Sequence, residues 1–156
     1  MKLRNEKLDA ITMTSLVFLI IAVIGGVAVT LQGQFMGLMD QSLGTKESVF
    51  LTYAGGGLVV ALVMLAARGG NLRAWASVPW YALTAGLLGL VIVGTIGYTV
   101  PRLGLAVAFT IIVAAQFVMA ALIDHFGWLG AAARPMGPSQ LAGVGLLILS
   151  VWLITR

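Results

Sequence analysis

The sequence predicts an all-α integral membrane protein with five transmembrane helices. Hydrophobic residues make up 60% of its 156 residues and charged residues only 9%. The mean hydropathy of +1.07 lies far above that of water-soluble domains. The apolar runs are about 20 residues long, which is the length that a helix needs to cross a hydrocarbon core of about 30 Å. We therefore expect a single transmembrane domain, residues 1–156, with spans at approximately residues 10–38, 47–67, 80–98, 103–123 and 139–155.

The first span exceeds the bilayer thickness and carries two amides, Gln32 and Gln34, in its last third. It is too long for the apolar core of a signal peptide, and no small-residue cleavage pattern follows it, so we expect it to be retained. An unpaired amide is costly in hydrocarbon. The two glutamines therefore either form interhelical hydrogen bonds or line a solute pathway.

The second and third spans are distinguished by their ends and their small residues. Glu47 begins the second span, where the helix dipole favours an anion, and Tyr53 is the polar aromatic residue within it. Pro79 suits the first turn of the third span, and Tyr98 ends it before a tight break over residues 99–102. Close backbone packing is favoured by the glycines of the third span, which predict that it is the most central helix: Gly86, Gly89, Gly94 and Gly97.

The fourth span has one polar amide, Gln116, near its middle and charges only at its ends. Gln116 must face another helix, a partner subunit or a wet cavity, because lipid would leave its amide unpaired. Asp124 and His125 at the exit are the titratable pair nearest the bilayer. They form either an interface cap or a gating or proton-handling pair. A loop rich in glycine and proline then leads to the shorter fifth span.

The distribution of cations predicts the orientation in the membrane. Six of the nine Lys and Arg residues fall on the side of the N-terminus: Lys2, Arg4, Lys7, Arg68, Arg73 and Arg134. The other side carries Lys46, Arg102 and Arg156. The positive-inside rule places the N-terminus in the cytoplasm and the C-terminus outside.

The residue inventory excludes several functional classes. The chain has no cysteine and one histidine, and all five carboxylates lie at or beyond the predicted membrane ends. No hydrolase or transferase arrangement can be assembled from these residues, so we expect neither an enzyme nor a metal site or cofactor. The net charge of +4 sits in short connections that flank apolar spans, which indicates topology and not nucleic-acid binding.

Two stretches, GYTVPRLGLAVAFTIIVAAQFVMAALIDHFG and the LQGQ late in the first span, resemble the YdcZ-like family. This family is the five-helix, half-size branch of the drug/metabolite transporter (EamA-like) superfamily. The resemblance implies half of a ten-helix architecture in which two five-helix repeats are inverted. An Asn often follows the first-span Gln in the family, whereas this chain has Met36 in that region.

These observations lead us to expect an inner-membrane transporter subunit that moves a small organic or amphipathic solute by alternating access as a dimer. The alternative is a non-transporting scaffold or lipid-interacting subunit. The expected partners are membrane lipids, the solute, and a second copy or a related five-helix protein. Candidate pathway residues are Gln32, Gln34, Tyr53, Tyr98 and Gln116, and candidate gating or proton-handling residues are Asp124 and His125.

Overall fold

The structure, a computed structural model, describes the backbone of residues 2–156 and the side chains of residues 15–156. Its helices are α1 (Lys2–Leu43), α2 (Thr45–Ala66), α3 (Ala85–Leu103), α4 (Leu105–Phe126) and α5 (Pro138–Ile154). Short 3₁₀ segments occupy Leu72–Ser77, Trp80–Thr84 and Trp128–Gly130. Residues 2–156 contain no strand, and the prediction of an all-α membrane protein is confirmed.

Four segments are long and apolar enough to cross a membrane: Ser15–Leu43, Thr45–Ala66, Trp80–Leu103 and Leu105–Phe126. The fifth helix is shorter. With 17 residues at 1.5 Å rise, α5 is about 26 Å long, which is near the lower limit for a transmembrane helix. Three cations that enter the orientation argument, Lys2, Arg4 and Lys7, lie outside the residues whose side chains are described.

The centre of the bundle is shared by α1 and α3. These two helices pack on each other, both contact α2 and α4, and each contributes several buried positions. Helix α5 contacts only α4 among the five helices. These contacts agree with the prediction that the third span is the most central helix, and they place α1 beside it at the centre.

Glycines allow the central helices to approach closely. A Cβ atom added to Gly33 of α1 would lie 2.6 Å from the ring of Phe109 on α4, and one added to Gly37 would lie 3.0 Å from Val100 on α3. On α2 the result is opposite, because a Cβ at Gly55, Gly56 or Gly57 would meet nothing within 4 Å. Gly33 and Gly37 of α1 are thus packed inside the chain, whereas Gly25 and Gly26 of α1 and the three glycines of α2 have open space beside them.

Two single-residue turns lie at one end of the bundle. Gly44, with φ of 104°, joins α1 to α2, and Gly104, with φ of 81°, joins α3 to α4. The expected break at residues 99–102 is wrong, because α3 continues through Pro101 to Leu103. A proline in the last turn removes only one helical hydrogen bond, and the Pro101 ring packs 3.5 Å from the Cβ position of Gly37. The positive φ that ends the helix falls on the glycine.

The longer connections lie at the opposite end. The Tyr81 hydroxyl, after the α2–α3 connection, donates to the carbonyl of Leu129 in the α4–α5 connection at 3.5 Å. Consecutive helices therefore run up and down, as the five-span topology requires.

Candidate functional site

A cavity of about 210 Å³ lies between α4 and the start of α5, at the end of the bundle that carries the longer connections. A cavity of about 150 Å³ is large enough to hold benzene, so this one can hold a small organic solute. Its wall combines apolar side chains with a carboxylate, a guanidinium and an amide. The lining residues are Phe117, Ala120, Ala121, Asp124, Arg134, Met136 and Gln140.

Backbone hydrogen bonds fix the connection that closes this cavity. Gly127 ends α4 in the left-handed conformation, with φ of 64° and ψ of 31°, and turns the chain back toward the helix. The N–H of Arg134 then donates to the carbonyl of Asp124 at 2.6 Å. The N–H of Gly137 donates to Oε1 of Gln140 at 2.8 Å and so begins α5. Main-chain N–H groups donate both hydrogen bonds, and the charged side chains of Asp124 and Arg134 take no part in them. These two side chains are therefore free for other contacts.

Opposite charges share this cavity without pairing. Within residues 15–156, neither the carboxylate of Asp124 nor the guanidinium of Arg134 forms an ion pair or a hydrogen bond, and the one ion pair there joins Asp40 and Arg102. Both residues are exposed and line the cavity. The cavity can therefore offer an anionic and a cationic contact to the same bound molecule.

His125 does not pair with Asp124. Its Nδ1 accepts a hydrogen bond from the N–H of Met136 at 3.2 Å, and its ring lies edge-on to Phe126 with 4.8 Å between centroids. Accepting this bond requires an unprotonated Nδ1. His125 thus holds the α4–α5 connection, whereas Asp124 lines the cavity. A gating or proton-handling role for the two residues stays a prediction.

Two predicted pathway residues come together in a second cavity. Gln32 of α1 and Tyr53 of α2 line a space of about 410 Å³ between their helices, together with Thr52 and Val93. The Tyr53 hydroxyl packs against Gly89 of α3 and leaves no room there for a Cβ atom. An amide and a phenol therefore face a space midway along the bundle.

The other predicted pathway residues are dispersed. Gln34 lines a separate space of about 190 Å³ near Gln41 and Pro101. Gln116 is exposed on the surface of α4. Within residues 15–156, neither amide makes a hydrogen bond, and the same holds for Gln32. All three amides are thus available to a solute or a partner chain.

Tyr98, the remaining candidate, belongs to a polar cluster at the end with the single-glycine turns. The side chain of Asp40 is only 5% exposed and accepts hydrogen bonds from Thr45 Oγ1 and, at 3.1 Å, from Arg102 Nη1. Arg102 also donates to the Tyr98 carbonyl at 2.6 Å and lies 3.7 Å above the centre of the Tyr98 ring. This cluster, which we call the Asp40–Arg102 clamp, ties the α1–α2 turn to the end of α3.

Apolar packing closes the bundle behind the clamp. Met36 is 1% exposed, and Ser48 is completely buried and donates to the Thr45 carbonyl at 2.9 Å. A Cβ added to Gly97 would lie 3.3 Å from the Met36 side chain. Met36 therefore fills the junction of α1, α2 and α3 with an apolar side chain.

Several residues of the cavity and the clamp were not predicted as site residues: Arg134, Gln140, Asp40, Thr45 and Arg102. The sequence analysis considered Arg134 only as one of the cations that set the orientation in the membrane. The clamp had a usable signal, because Asp40 and Arg102 fall at span ends that the cation count places on the same side. Among the side chains of residues 15–156, no three acidic or histidine groups are placed to hold a metal ion.

A known protein family matches most of the chain. The family model described as "Putative inner membrane exporter, YdcZ" matches residues 17–153, which is nearly the whole chain. No curated protein and no solved structure gives a significant match. The match and the apolar helices show a multi-pass membrane protein of the transporter class. The chain therefore belongs to the YdcZ family of inner-membrane exporters, related to the drug/metabolite transporters.

Proposed function

We infer that the chain is a transporter subunit that moves a small organic or amphipathic solute across the inner membrane by alternating access as a dimer. The observation that carries the proposal is the cavity between α4 and α5, whose apolar wall and unpaired Asp124 and Arg134 suit a solute that is partly charged. Membership of an exporter family also supports a role in transport. An N-terminus in the cytoplasm would make this cavity the cytoplasmic mouth of the pathway.

The free amides support transport over a purely structural role. Interhelical hydrogen bonds are the ordinary use of a glutamine in a membrane helix. Within the described side chains, Gln32, Gln34 and Gln116 make none, and the first two line cavities. Polar groups kept unpaired in hydrocarbon carry a cost that a solute or a partner chain would offset.

Incomplete packing and symmetry support the dimer. Gly55, Gly56 and Gly57 on α2 have open space beside them, as do Gly143 and Gly145 on α5, so small faces stay unused in the single chain. One five-helix unit also supplies only half of an inverted pair. The partner is a second copy inserted in the opposite orientation, or a related chain whose Lys and Arg residues favour the opposite orientation in the membrane. A parallel homodimer is the competing geometry.

Single cysteines distinguish these geometries, because the chain has no native cysteine. Trp128 follows α4 at one end of the bundle, and Trp152 lies near the end of α5 at the other. Crosslinks between position 152 of one protomer and position 128 of its partner indicate inverted partners. Links from 152 to 152 alone indicate parallel partners. A protein that stays monomeric in nanodiscs while it transports would exclude the dimer.

The alternative of a lipid-interacting subunit has one observation in its favour. An open groove of about 600 Å³ between α4 and α5 is almost wholly apolar and is lined by Ile111, Val118 and Trp152, among others. An acyl chain would fit such a surface as well as a partner helix would. The charged cavity has no use in that alternative, so we favour transport.

A metabolite-resolved screen tests the proposal. Proteoliposomes are loaded with a metabolite extract, and the solutes that leave are identified by mass spectrometry against protein-free liposomes. We expect selective, protein-dependent loss of one chemical class of solute. Equal leakage of all solutes from both preparations would favour the scaffold.

A further inference from the structure

We propose that the cavity between α4 and α5 binds a zwitterion, with its ammonium group on Asp124 and its anionic group on Arg134. The inference rests on the proposed transport function, because it names the class of solute. It concerns a cavity of about 210 Å³ that is lined by one acidic residue, one basic residue and several apolar residues.

The charge pattern selects the ligand class. A ligand with only a positive charge would pair with Asp124 and leave Arg134 without a counter-charge in the occupied cavity. A ligand with only a negative charge would pair with Arg134 and leave Asp124 without one. A molecule that carries both charges satisfies both groups and brings no net charge into the mouth of the bundle. Phe117, Ala120 and Ala121 form the apolar part of the wall, which suits a short hydrocarbon body attached to the charged groups.

The cavity is also built before the ligand arrives. The connection is held by main-chain N–H groups that donate to the Asp124 carbonyl, the His125 ring and the Gln140 side chain; the donors are Arg134, Met136 and Gly137. Little ordering of the backbone is then required on binding, which favours affinity. The same bonds make the test clean, since replacing the side chains of Asp124 and Arg134 leaves the main-chain bond between these residues in place.

An ammonium group joined to a nearby anion occurs in free amino acids and in the headgroup of phosphatidylethanolamine. Leucine is the soluble probe, with 4-methylpentanoate as the analogue that lacks the amine and 3-methylbutylamine as the analogue that lacks the carboxylate. Binding is measured by calorimetry on the full chain in phosphatidylglycerol nanodiscs. Retention of phosphatidylethanolamine is measured by native mass spectrometry after reconstitution in mixed lipid.

The expected result is that leucine binds at least about 10-fold more tightly than either analogue. Asp124→Asn and Arg134→Gln each remove that preference, and the exchanged double variant D124R/R134D restores part of it. Arg73→Gln, which removes an exposed cation outside the cavity, leaves leucine binding unchanged. Selective retention of phosphatidylethanolamine that is lost in Asp124→Asn, without leucine binding, assigns the site to the headgroup and supports the same chemistry.

Equal affinity for leucine and its analogues overturns the inference, as does absence of both leucine binding and selective lipid retention. Binding is read without any solute gradient and is therefore separate from flux. Leucine binding without flux of any solute would contradict the proposed transport function but support this binding site. Flux of a solute that lacks one of the two charges, without binding of any zwitterion, would contradict the zwitterion site but support the proposed transport function.

Discussion

Breaking the Asp40–Arg102 clamp should destabilise the protein through one buried carboxylate. Asp40 is almost fully enclosed, with 5% of its side chain exposed, whereas Arg102 is 48% exposed. In Arg102→Gln the carboxylate keeps Thr45 and loses its charged partner. In Asp40→Asn the guanidinium remains over the Tyr98 ring but loses its anion.

The burial of the two partners sets the magnitude. Removing one member of a fully buried ion pair costs about 3–5 kcal/mol, and a hydrogen bond to a charged group contributes about 1.5–3 kcal/mol. Water reaches the exposed half of Arg102 and screens the pair, which places the expected loss nearer the value of an exposed pair, about 1 kcal/mol. We therefore expect each single variant to lose about 1–2 kcal/mol of unfolding free energy.

A double-mutant cycle isolates the interaction. The free energy of unfolding is measured by detergent titration in bicelles for the wild type, Asp40→Asn, Arg102→Gln and the double variant. We expect a coupling energy of about 1 kcal/mol, because the second substitution removes a partner that is already lost. Arg73→Gln serves as the control and should lie within about 0.5 kcal/mol of wild type. Additive losses, with coupling below about 0.3 kcal/mol, would show that the clamp does not stabilise the fold.

Three further predictions concern packing, topology and the amide of the fourth span. Gly97→Leu should lower the melting temperature by several kelvin, because the new Cβ atom alone would lie 3.3 Å from the Met36 side chain. Gly55→Leu is the control and should not lower it, because Gly55 has open space beside it. Equal melting temperatures of the two variants would refute the packing argument. Reporter fusions should place the N-terminus in the cytoplasm and the C-terminus outside. Both ends on one side would refute five spans, and each end on both sides would mean dual topology. Gln116→Leu should leave the protein folded and change transport, and unchanged transport would leave Gln116 with a packing role alone.

Features set by composition and by single residues were predictable from the sequence. The length of each apolar run is a direct consequence of bilayer thickness, and a membrane-spanning backbone must satisfy its polar groups within the helix. The helical architecture therefore follows from the hydropathy alone. Helix ends were less predictable. Pro101 suggested a break, but the ring packs on α1, and the chain turns at Gly104, where the positive φ is available.

Side-chain partners could not be derived, because they depend on which helix faces which. Asp40 and Arg102 are 62 positions apart, and only the packing of α3 on α1 brings them together. Among the glycines of α1 and α2, only Gly33 and Gly37 would bring an added Cβ atom within 4 Å of another helix. The cavity at Asp124 needed the fold of the connection, since a reversal at Gly127 returns Arg134 to the end of α4.

Solute counterflow in proteoliposomes distinguishes an alternating-access carrier from a membrane scaffold. Vesicles loaded with unlabelled solute of the class found in the efflux screen are diluted into a trace of the labelled form. We expect a transient accumulation of label above its equilibrium level, because outward movement of unlabelled solute returns the carrier to face the label. Asp124→Asn should reduce this accumulation. Label that only equilibrates, at the rate of protein-free vesicles, would contradict the alternating-access carrier and leave a membrane scaffold.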